Sequence, residues 1–325
     1  MSAAPEIPPS VDEEPLQRMS FGDHLEELRR RVSRALVAIG VCMLVMVPFK
    51  DAVSAVYLAP YRSMWREGFT DYLTKFDAEI EAMGGREGLG SDLRGGLYRE
   101  RVEFLDAHRE AILDGSFPFR EFGDKIRGSG GYQVPYYLVA LGGIEDFWTF
   151  MTATFLFSLI VASPIVLYQL WAFIGAGLYR QERRTVMMYL PGAIGLLASG
   201  VAFGYYLVVP YGLHFLVKLM NFGYVQPMFS VSSYFGLLFM MTAALGVAFQ
   251  LPMVMLALNK VGLVSHRTFR RNWRYVLLGM FVVSAFVTPP DPFTQVMMAV
   301  PMIGLYGLGL ALTLRAEAKA ERTAA

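Results

Sequence analysis

The sequence has few of the residues on which redox, metal and hydrolytic sites depend. It contains one cysteine, Cys42, and four scattered histidines, His24, His108, His214 and His266, in 325 residues. A single cysteine excludes an internal disulfide, and the histidine spacing does not match a metal-binding or haem-binding cluster. No phosphate-binding glycine loop and no serine–histidine motif occurs either. We therefore predict no enzyme, no cofactor and no metal site.

Charged residues are nearly absent from the long apolar stretches, and the first 18 residues do not form a cleavable signal peptide. Ionisable residues deep in a bilayer are expected in pumps and proton relays, so their near absence argues against both classes. The segment 1–18 is polar and contains several prolines. We interpret it as a disordered cytoplasmic tail rather than a targeting sequence.

Apolar residues are present in excess. They make up 54% of the chain, and the mean hydropathy is +0.40. A membrane-spanning helix needs about 20 mostly apolar residues, and six stretches approach this length. They cover residues 32–47, 147–171, 186–209, 234–258, 275–287 and 296–314. The sequence predicts an all-α integral membrane protein with six transmembrane helices, the last two joined as an antiparallel hairpin by a proline-rich turn.

Basic residues are unevenly distributed among the short loops, which predicts the orientation in the membrane. They cluster before span one, after span two, after span four and after span six, whereas the other short connections hold almost none. The residues are Arg29, Arg30, Arg31, Arg180, Arg183, Arg184, Arg267, Arg270, Arg271, Arg274, Arg315, Lys319 and Arg322. Because all four clusters fall on the same side, we predict a multi-pass bacterial inner-membrane protein with both termini in the cytoplasm.

The segment 61–146 is long, charged and unlike the other connections. Loops of this length cross the membrane largely regardless of their charge. Apolar residues recur in it at or near helical spacing: Phe69, Leu73, Phe76, Ile80 and Met83, then Val102, Leu105, Ile112 and Leu113. We predict a helical extracytoplasmic insertion. The domains are then a tail at 1–18, an amphipathic helix and first span at 19–60, the insertion at 61–146, spans two to six at 147–314, and a cytoplasmic tail at 315–325.

The first of three polar motifs precedes span one and reads Met19-Ser-Phe-Gly-Asp-His-Leu-Glu-Glu-Leu-Arg-Arg-Arg-Val32. Its apolar residues share one helical face, which predicts a helix on the inner membrane surface before the span. We expect Glu27 to project away from that face, toward the headgroups or the cytosol. The simplest interpretation is that Glu26 and Glu27 pair with Arg30 and Arg31, four residues further along.

The other two motifs lie at the ends of later spans. One runs from Ser163-Pro164 through Tyr168-Gln-Leu-Trp-Ala-Phe173 to Glu182-Arg-Arg184, and the other reads Thr288-Pro-Pro-Asp-Pro-Phe-Thr-Gln295. Taken alone, Glu182 is a neutralised residue within an arginine cluster. Asp291 in a tight turn ordinarily accepts backbone hydrogen bonds.

Together, in this order and spacing, the three motifs resemble those of the TatC family, the multispanning subunit of the twin-arginine protein translocase. The residues that carry the resemblance are His24-Leu-x-Glu27-Leu-Arg29, Pro164-x-x-x-Tyr-Gln-x-Trp171-Ala-Phe173 with Leu178-x-x-x-Glu182-Arg-Arg184, and Thr288-Pro-Pro-Asp291-x-Phe-x-Gln295. The resemblance extends from about Phe21 to Leu314 and excludes the insertion.

The resemblance implies a receptor that binds the twin-arginine signal peptides of folded precursors at its cytoplasmic face. It also implies that the chain organises TatA- and TatB-type single-span subunits, self-associates, contacts membrane lipid and binds no nucleic acid, with transport driven by the proton-motive force. The implied signal-binding residues are Glu27, Arg29, Phe173 and Glu182. Carboxylates suit a two-arginine ligand because guanidinium pairs with them bidentately and ammonium does not.

Five further positions match the family with other implied roles. Gln250, Thr288 and Gln295 are implied in partner docking, Pro60 in closing the first span, and Asp291 in the outer loop. Gln250 stands where the family commonly has a glutamate, and an amide cannot titrate, which favours docking over proton relay. The insertion is longer than the usual first outer loop of the family, and the sequence leaves its role open.

Two other classes of membrane protein remain as alternatives. A small-solute secondary transporter predicts internal repeats and interrupted helices around a midplane site. A membrane-embedded enzyme predicts a buried set of acids, bases or metal ligands. The sequence shows neither pattern clearly.

Overall fold

The structure is a computed structural model, and it describes residues 21–86, 88, 93–114, 138–176, 187–219, 229–288 and 291–324. Eleven α-helices lie within these residues. They are α1 (Phe21–Met46), α2 (Lys50–Ala82), α3 (Leu93–Asp114), α4 (Glu145–Ala176), α5 (Leu190–Phe203), α6 (Val209–Leu219), α7 (Val231–Ala248), α8 (Leu251–Lys260), α9 (His266–Arg271), α10 (Trp273–Val287) and α11 (Pro292–Ala324). A 3₁₀ turn, Val47–Phe49, joins α1 to α2, and a π-helical turn, Gly204–Val208, joins α5 to α6. The predicted tail at 1–18 lies outside the described residues.

Five helical segments of the described chain are long and apolar enough to cross a membrane, and α10 is a sixth, shorter apolar helix. The long segments are Gly22–Ala82, Glu145–Ala176, Leu190–Val217, Val231–Lys260 and Pro292–Ala318. The prediction of an all-α membrane protein with six spans is confirmed.

The first helix differs from the predicted surface helix followed by a separate span. α1 runs without interruption from Phe21 to Met46, so the amphipathic segment forms the first turns of the helix that continues into span one. Its apolar residues Leu25, Leu28 and Val32 remain exposed. The chain first departs from α-helical geometry at the 3₁₀ turn, which contains Pro48.

Pro60 does not close the first helix, contrary to the role implied by the resemblance. Proline lacks the N–H that would bond to the carbonyl four residues earlier, and here that carbonyl belongs to Val56. The hydroxyl of Tyr205 donates to the Val56 carbonyl instead. The hydroxyl of Tyr234 donates to the adjacent carbonyl of Tyr57 at 2.6 Å. Because both carbonyls have partners, α2 continues through Pro60 to Ala82.

The insertion begins inside α2 rather than at a helix end. The second half of α2 and the turn that follows it pair with α3 through ion pairs, Arg109–Asp77 at 3.1 Å and Arg86–Asp106 at 2.6 Å. The apolar residues of the predicted pattern are buried, except the half-buried Leu113 and the exposed Met83: Phe69, Leu73, Phe76, Ile80, Val102, Leu105 and Ile112. The predicted helical character of the insertion is confirmed for its described residues in α2 and α3.

The described residues at the end of the insertion form hydrogen bonds with the start of the fourth span. The Val139 N–H donates to the Phe229 carbonyl at 3.0 Å, and the Val231 N–H donates to the Val139 carbonyl at 3.1 Å. The Glu145 carboxylate, at the start of α4, accepts a bond from the Ser232 N–H at 3.0 Å. The second and fourth spans are therefore tied together at this end.

The third and fourth spans approach each other closely at glycine. A Cβ added to Gly200 would lie 2.7 Å from the Phe249 ring and 2.8 Å from the Leu245 carbonyl oxygen. One added to Gly204 would lie 3.0 Å from the Thr242 Cα. Small residues allow helices to pack backbone to backbone in membranes, and these glycines serve that purpose.

The fourth span is broken, although the sequence predicts one continuous helix over 234–258. α7 ends at Ala248 and α8 begins at Leu251, with Phe249 and Gln250 in a turn between them. Pro252 supplies no N–H to the Ala248 carbonyl, which favours an interruption at this point. Whereas α2 continues through Pro60, the fourth span is interrupted before Pro252, and the interruption contains a polar residue, Gln250.

Candidate functional site

The motif at the start of α1 packs against the last turns of α4. His24 and Phe173 stack with ring centroids 4.5 Å apart and an interplanar angle of 27°. Two helical turns further along α1 and one turn earlier in α4, Arg31 Nη1 donates to Gln169 Oε1 at 3.4 Å. Residues three or four apart share a helix face, so two of the three polar motifs meet at this α1–α4 contact.

Glu27 lies between these two contacts and forms an ion pair with Arg31. The side chain of Glu27 is 18% exposed and that of Arg31 is 10% exposed. The predicted pairing of Glu27 with Arg31 is confirmed. The prediction that Glu27 projects into headgroups or cytosol is wrong, because its partner Arg31 is turned toward Gln169 on α4.

Arg29 lies outside this contact. Its side chain is 78% exposed and pairs with Glu26 at 3.5 Å, three residues earlier in the chain. The predicted partner of Glu26 was Arg30, which is exposed instead. A surface pair of this kind contributes little to stability, which leaves the Arg29 guanidinium accessible.

Glu182 falls in the segment 177–186, outside the described residues. The structure therefore brings together Glu27 and Phe173 from the predicted signal-binding set, and places Arg29 at its margin. Sequence reasoning did not assign Arg31 and Gln169 to the site. The spacing in the sequence could have indicated them, because Arg31 lies four residues after Glu27 and Gln169 four residues before Phe173, on the same helix faces.

The Gln250 side chain points into the protein and bonds to a neighbouring span. Its Nε2 donates to the Ala193 carbonyl on α5 at 2.8 Å, and its Oε1 is buried with no partner among the described residues. The amide therefore bridges the third span to the break in the fourth. One acceptor position of the side chain is left open to a further donor.

Thr288 and Gln295 lie on the α10–α11 hairpin, a different pair of helices from Gln250. The Thr288 hydroxyl donates to the Ser284 carbonyl at 2.9 Å, and Gln295 Nε2 donates to the Phe281 carbonyl at 3.2 Å. Both side chains satisfy carbonyl groups of α10. These bonds fix the end of α10 and its register against α11.

Asp291 caps α11. Its Oδ1 accepts a bond from the Thr294 N–H at 2.7 Å, and its Oδ2 accepts one from the Thr294 hydroxyl. Pro292 follows as the first helical residue, where the missing N–H is not needed. The expectation that Asp291 accepts a backbone hydrogen bond in the turn is confirmed.

In the described part of the chain, no group of three or more histidine, cysteine, aspartate or glutamate side chains could hold a metal ion. The polar features of the α1–α4 contact are one carboxylate, one guanidinium, one amide and a stacked imidazole. This arrangement can bind a cation or a hydrogen-bond donor through Glu27.

The chain is similar to proteins of one family. The model of the family described as TatC, Sec-independent protein translocase protein, matches residues 23–301. The Sec-independent protein translocase protein TatCy of Bacillus subtilis (strain 168) is 30% identical over 181 residues, which cover 56% of this chain and 71% of that protein. TatC of Escherichia coli (strain K12) is 37% identical over 173 residues, 53% of this chain and 67% of that protein.

A longer match and a solved structure extend the similarity. TatC of Desulforapulum autotrophicum is 28% identical over 294 residues, which cover 90% of this chain and 84% of that protein. A crystal structure of the twin arginine translocase receptor TatC superimposes with a TM-score of 0.61 at 25% identity, covering 90% of this chain and 99% of that one.

Proposed function

The chain belongs to the TatC family of Sec-independent protein translocase proteins, and from that premise we propose that it is the signal-peptide receptor of its translocase. Membership makes it a multi-pass inner-membrane protein and a component of the twin-arginine translocase, with a non-enzymatic role in protein transport. The proposed finer function is recognition of paired arginines by Glu27 and Glu182, followed by movement of folded precursors driven by the proton-motive force.

The observation that carries this proposal is the state of Glu27. Its carboxylate is partly buried and already binds a guanidinium, that of Arg31. Guanidinium is more weakly hydrated than ammonium and matches a carboxylate with a rigid fork of donors. A site that holds an arginine of its own chain has the size, polarity and partial dehydration that an arginine of a ligand requires.

We propose that Glu182 adds a second carboxylate. It follows the end of α4 by only six residues, and α4 carries Phe173 and Gln169 on the contact with α1. We propose that the two glutamates receive one arginine each. Arg29 and Phe173 complete the surface, Arg29 at its solvent margin and Phe173 through its stack on His24.

We further propose that TatA- and TatB-type single-span subunits dock along α10. Only Met280 and Ser284 of this helix are buried, and its exposed apolar residues include Leu278 and Phe286. Such a face can receive a single transmembrane helix. Thr288 and Gln295 would position this surface through their bonds to α10, and Gln250 would act at a separate contact.

A binding measurement tests the receptor function. Purified full-length protein is titrated with a fluorescent signal peptide containing two arginines and with an identical peptide containing two lysines. We expect the arginine peptide to bind more tightly, and Glu27→Gln to weaken its binding by about tenfold or more, because a charge-assisted bond is lost. Glu26→Gln, which removes an exposed neighbouring carboxylate, is the matched control and should leave the affinity unchanged.

A photoreactive group beside the peptide arginines locates the site independently of any effect of Glu27→Gln on folding. Labelling should fall near Glu27 and Glu182. Equal binding of both peptides to folded protein, or arginine-peptide binding that Glu27→Gln and Glu182→Gln leave intact, would contradict the assignment. The small-solute transporter would then become the leading alternative.

A further inference from the structure

Arg31 is buried but incompletely bonded. Only 9% of the residue is exposed. One terminal nitrogen pairs with Glu27 and the other donates to Gln169 Oε1 over a long 3.4 Å. Its Nε is buried and has no acceptor among the described residues. Because buried donors are nearly always satisfied, an exception calls for an explanation.

A purely structural role does not account for this arrangement. Burying a charge is costly unless all its donors are bonded, and an apolar residue often replaces a buried ion pair without loss of stability. The neighbouring arginines Arg29, Arg30 and Arg34 are all exposed. Arg31 alone is turned inward, onto the carboxylate to which the signal-binding role is assigned.

We propose that Arg31 is an internal competitor that occupies Glu27 in the empty receptor and is displaced when an arginine of the ligand binds this carboxylate. This inference rests on the proposed function. In the described part of the chain no second cation pairs with Glu27, so Arg31 is its resident partner. An incoming arginine replaces Arg31 like for like, with the same planar fork of donors.

A lysine binds the vacated carboxylate less well than an arginine. Its ammonium is more strongly hydrated and offers a point charge in place of a fork. The free energy needed to displace Arg31 is the same for both ligands, so Arg31 lowers the affinity for both by the same factor, and selection against lysine comes from the contacts of the ligand itself. The displaced Arg31 keeps Gln169 as an acceptor, and its long side chain can extend toward the lipid headgroups.

The alternative is that Arg31 merely holds Glu27 in position for the ligand. The two roles predict opposite signs. Removing a competitor raises the affinity for both cationic peptides by the same factor. Removing a positioning residue lowers the affinity for both peptides.

The experiment compares Arg31→Gln with Arg30→Gln, which removes the same charge from an exposed neighbour. Dissociation constants for the paired-arginine and paired-lysine peptides are measured by fluorescence anisotropy on the full-length protein. For Arg31→Gln we expect both peptides to bind more tightly by the same factor, about threefold or more, given that tenfold corresponds to about 1.4 kcal/mol. The lysine-to-arginine ratio of dissociation constants should then stay the same. Arg30→Gln should leave both dissociation constants unchanged.

Arg31→Lys keeps a cation in place if the neutral variant does not fold, and it should also tighten the binding of both peptides, because an ammonium is the weaker competitor. Unchanged or weaker binding of both peptides to the Arg31 variants, or a changed ratio, overturns the inference while the receptor function stands. A wild-type protein that does not distinguish arginine from lysine overturns the receptor function itself.

Discussion

Two tyrosine hydroxyls from other spans allow the helix that continues from the first span to pass through Pro60 without ending. Pro60 leaves the Val56 carbonyl without its helical donor, and Tyr205 supplies one from the π-helical turn of the third span. Tyr234 supplies a second hydroxyl, to the Tyr57 carbonyl, from the fourth span. Backbone groups in a membrane must find partners within the protein. The continuity of α2 therefore depends on side chains that come from other spans.

Removing the Tyr205 hydroxyl should matter only while Pro60 is present. We expect Tyr205→Phe to lower the free energy of unfolding in detergent by about 1 kcal/mol, the usual contribution of one hydrogen bond. In a Pro60→Ala background the alanine N–H can serve Val56, and the same substitution should cost almost nothing. Equal losses in the two backgrounds would show that the hydroxyl acts elsewhere. Tyr206→Phe, at an adjacent and exposed hydroxyl, is the control.

How far the site could be predicted from the sequence differs between its residues. The pairing of Glu27 with Arg31 follows from a spacing of four on a helix, which is local information. The orientation of the pair does not, because it depends on Gln169, which lies 138 residues away from Arg31. The bond between Gln250 and the Ala193 carbonyl is equally non-local. The motifs therefore identified the polar residues and one local partner, but they did not identify the partners that come from other spans.

At the scale of elements, the lengths of the apolar stretches predicted where the helices lie, but the positions of the prolines did not predict where the helices break. The breaks at the 3₁₀ turn and after Ala248 coincide with Pro48 and Pro252, whereas α2 passes through Pro60. Each proline removes one donor, but whether the helix ends depends on a replacement from another span. The sequence can indicate where a helix is weakened, and tertiary contacts determine the outcome.

The contact between the third and fourth spans gives a test with a matched control. Gly200→Ala places a methyl group 2.7 Å from the Phe249 ring and 2.8 Å from a backbone oxygen, so the helices must separate. We expect the free energy of unfolding to fall by about 1–3 kcal/mol, as in other overpacked sites. Gly195→Ala, with no atom within 4 Å of the added Cβ, should be neutral or slightly stabilising. Similar losses for both variants would point to a general requirement for glycine in this helix.

At the scale of the whole molecule, the six-span fold is established and its direction in the membrane remains a prediction of the basic loops. Arg267, Arg270, Arg271 and Arg274 are all exposed around α9 and the start of α10. The paired helices α2 and α3 extend the first span into the charged insertion. We propose that the insertion faces the outside and the arginines of α9 and α10 face the cytoplasm.

Cysteine labelling in intact cells tests this orientation. In a background where Cys42 is replaced by alanine, Glu81→Cys in α2 should react with a membrane-impermeant maleimide added outside, since Glu81 is exposed. Arg274→Cys should react only after the membrane is permeabilised. The reverse pattern would invert the topology and move Glu27 to the wrong side for a cytoplasmic ligand.

The uninterrupted course of α2 has a mechanical consequence. From Pro60 to Ala82 the helix extends for about 33 Å at 1.5 Å per residue. Near Pro60 its carbonyls accept hydrogen bonds from Tyr205 and Tyr234 of other spans, and near Ala82 an ion pair links it to α3. The helix therefore acts as a rigid rod that pivots near Pro60. A tilt of about 10° at this point moves the Ala82 end by roughly 6 Å. A small change in packing among the spans thus produces a larger displacement of the insertion.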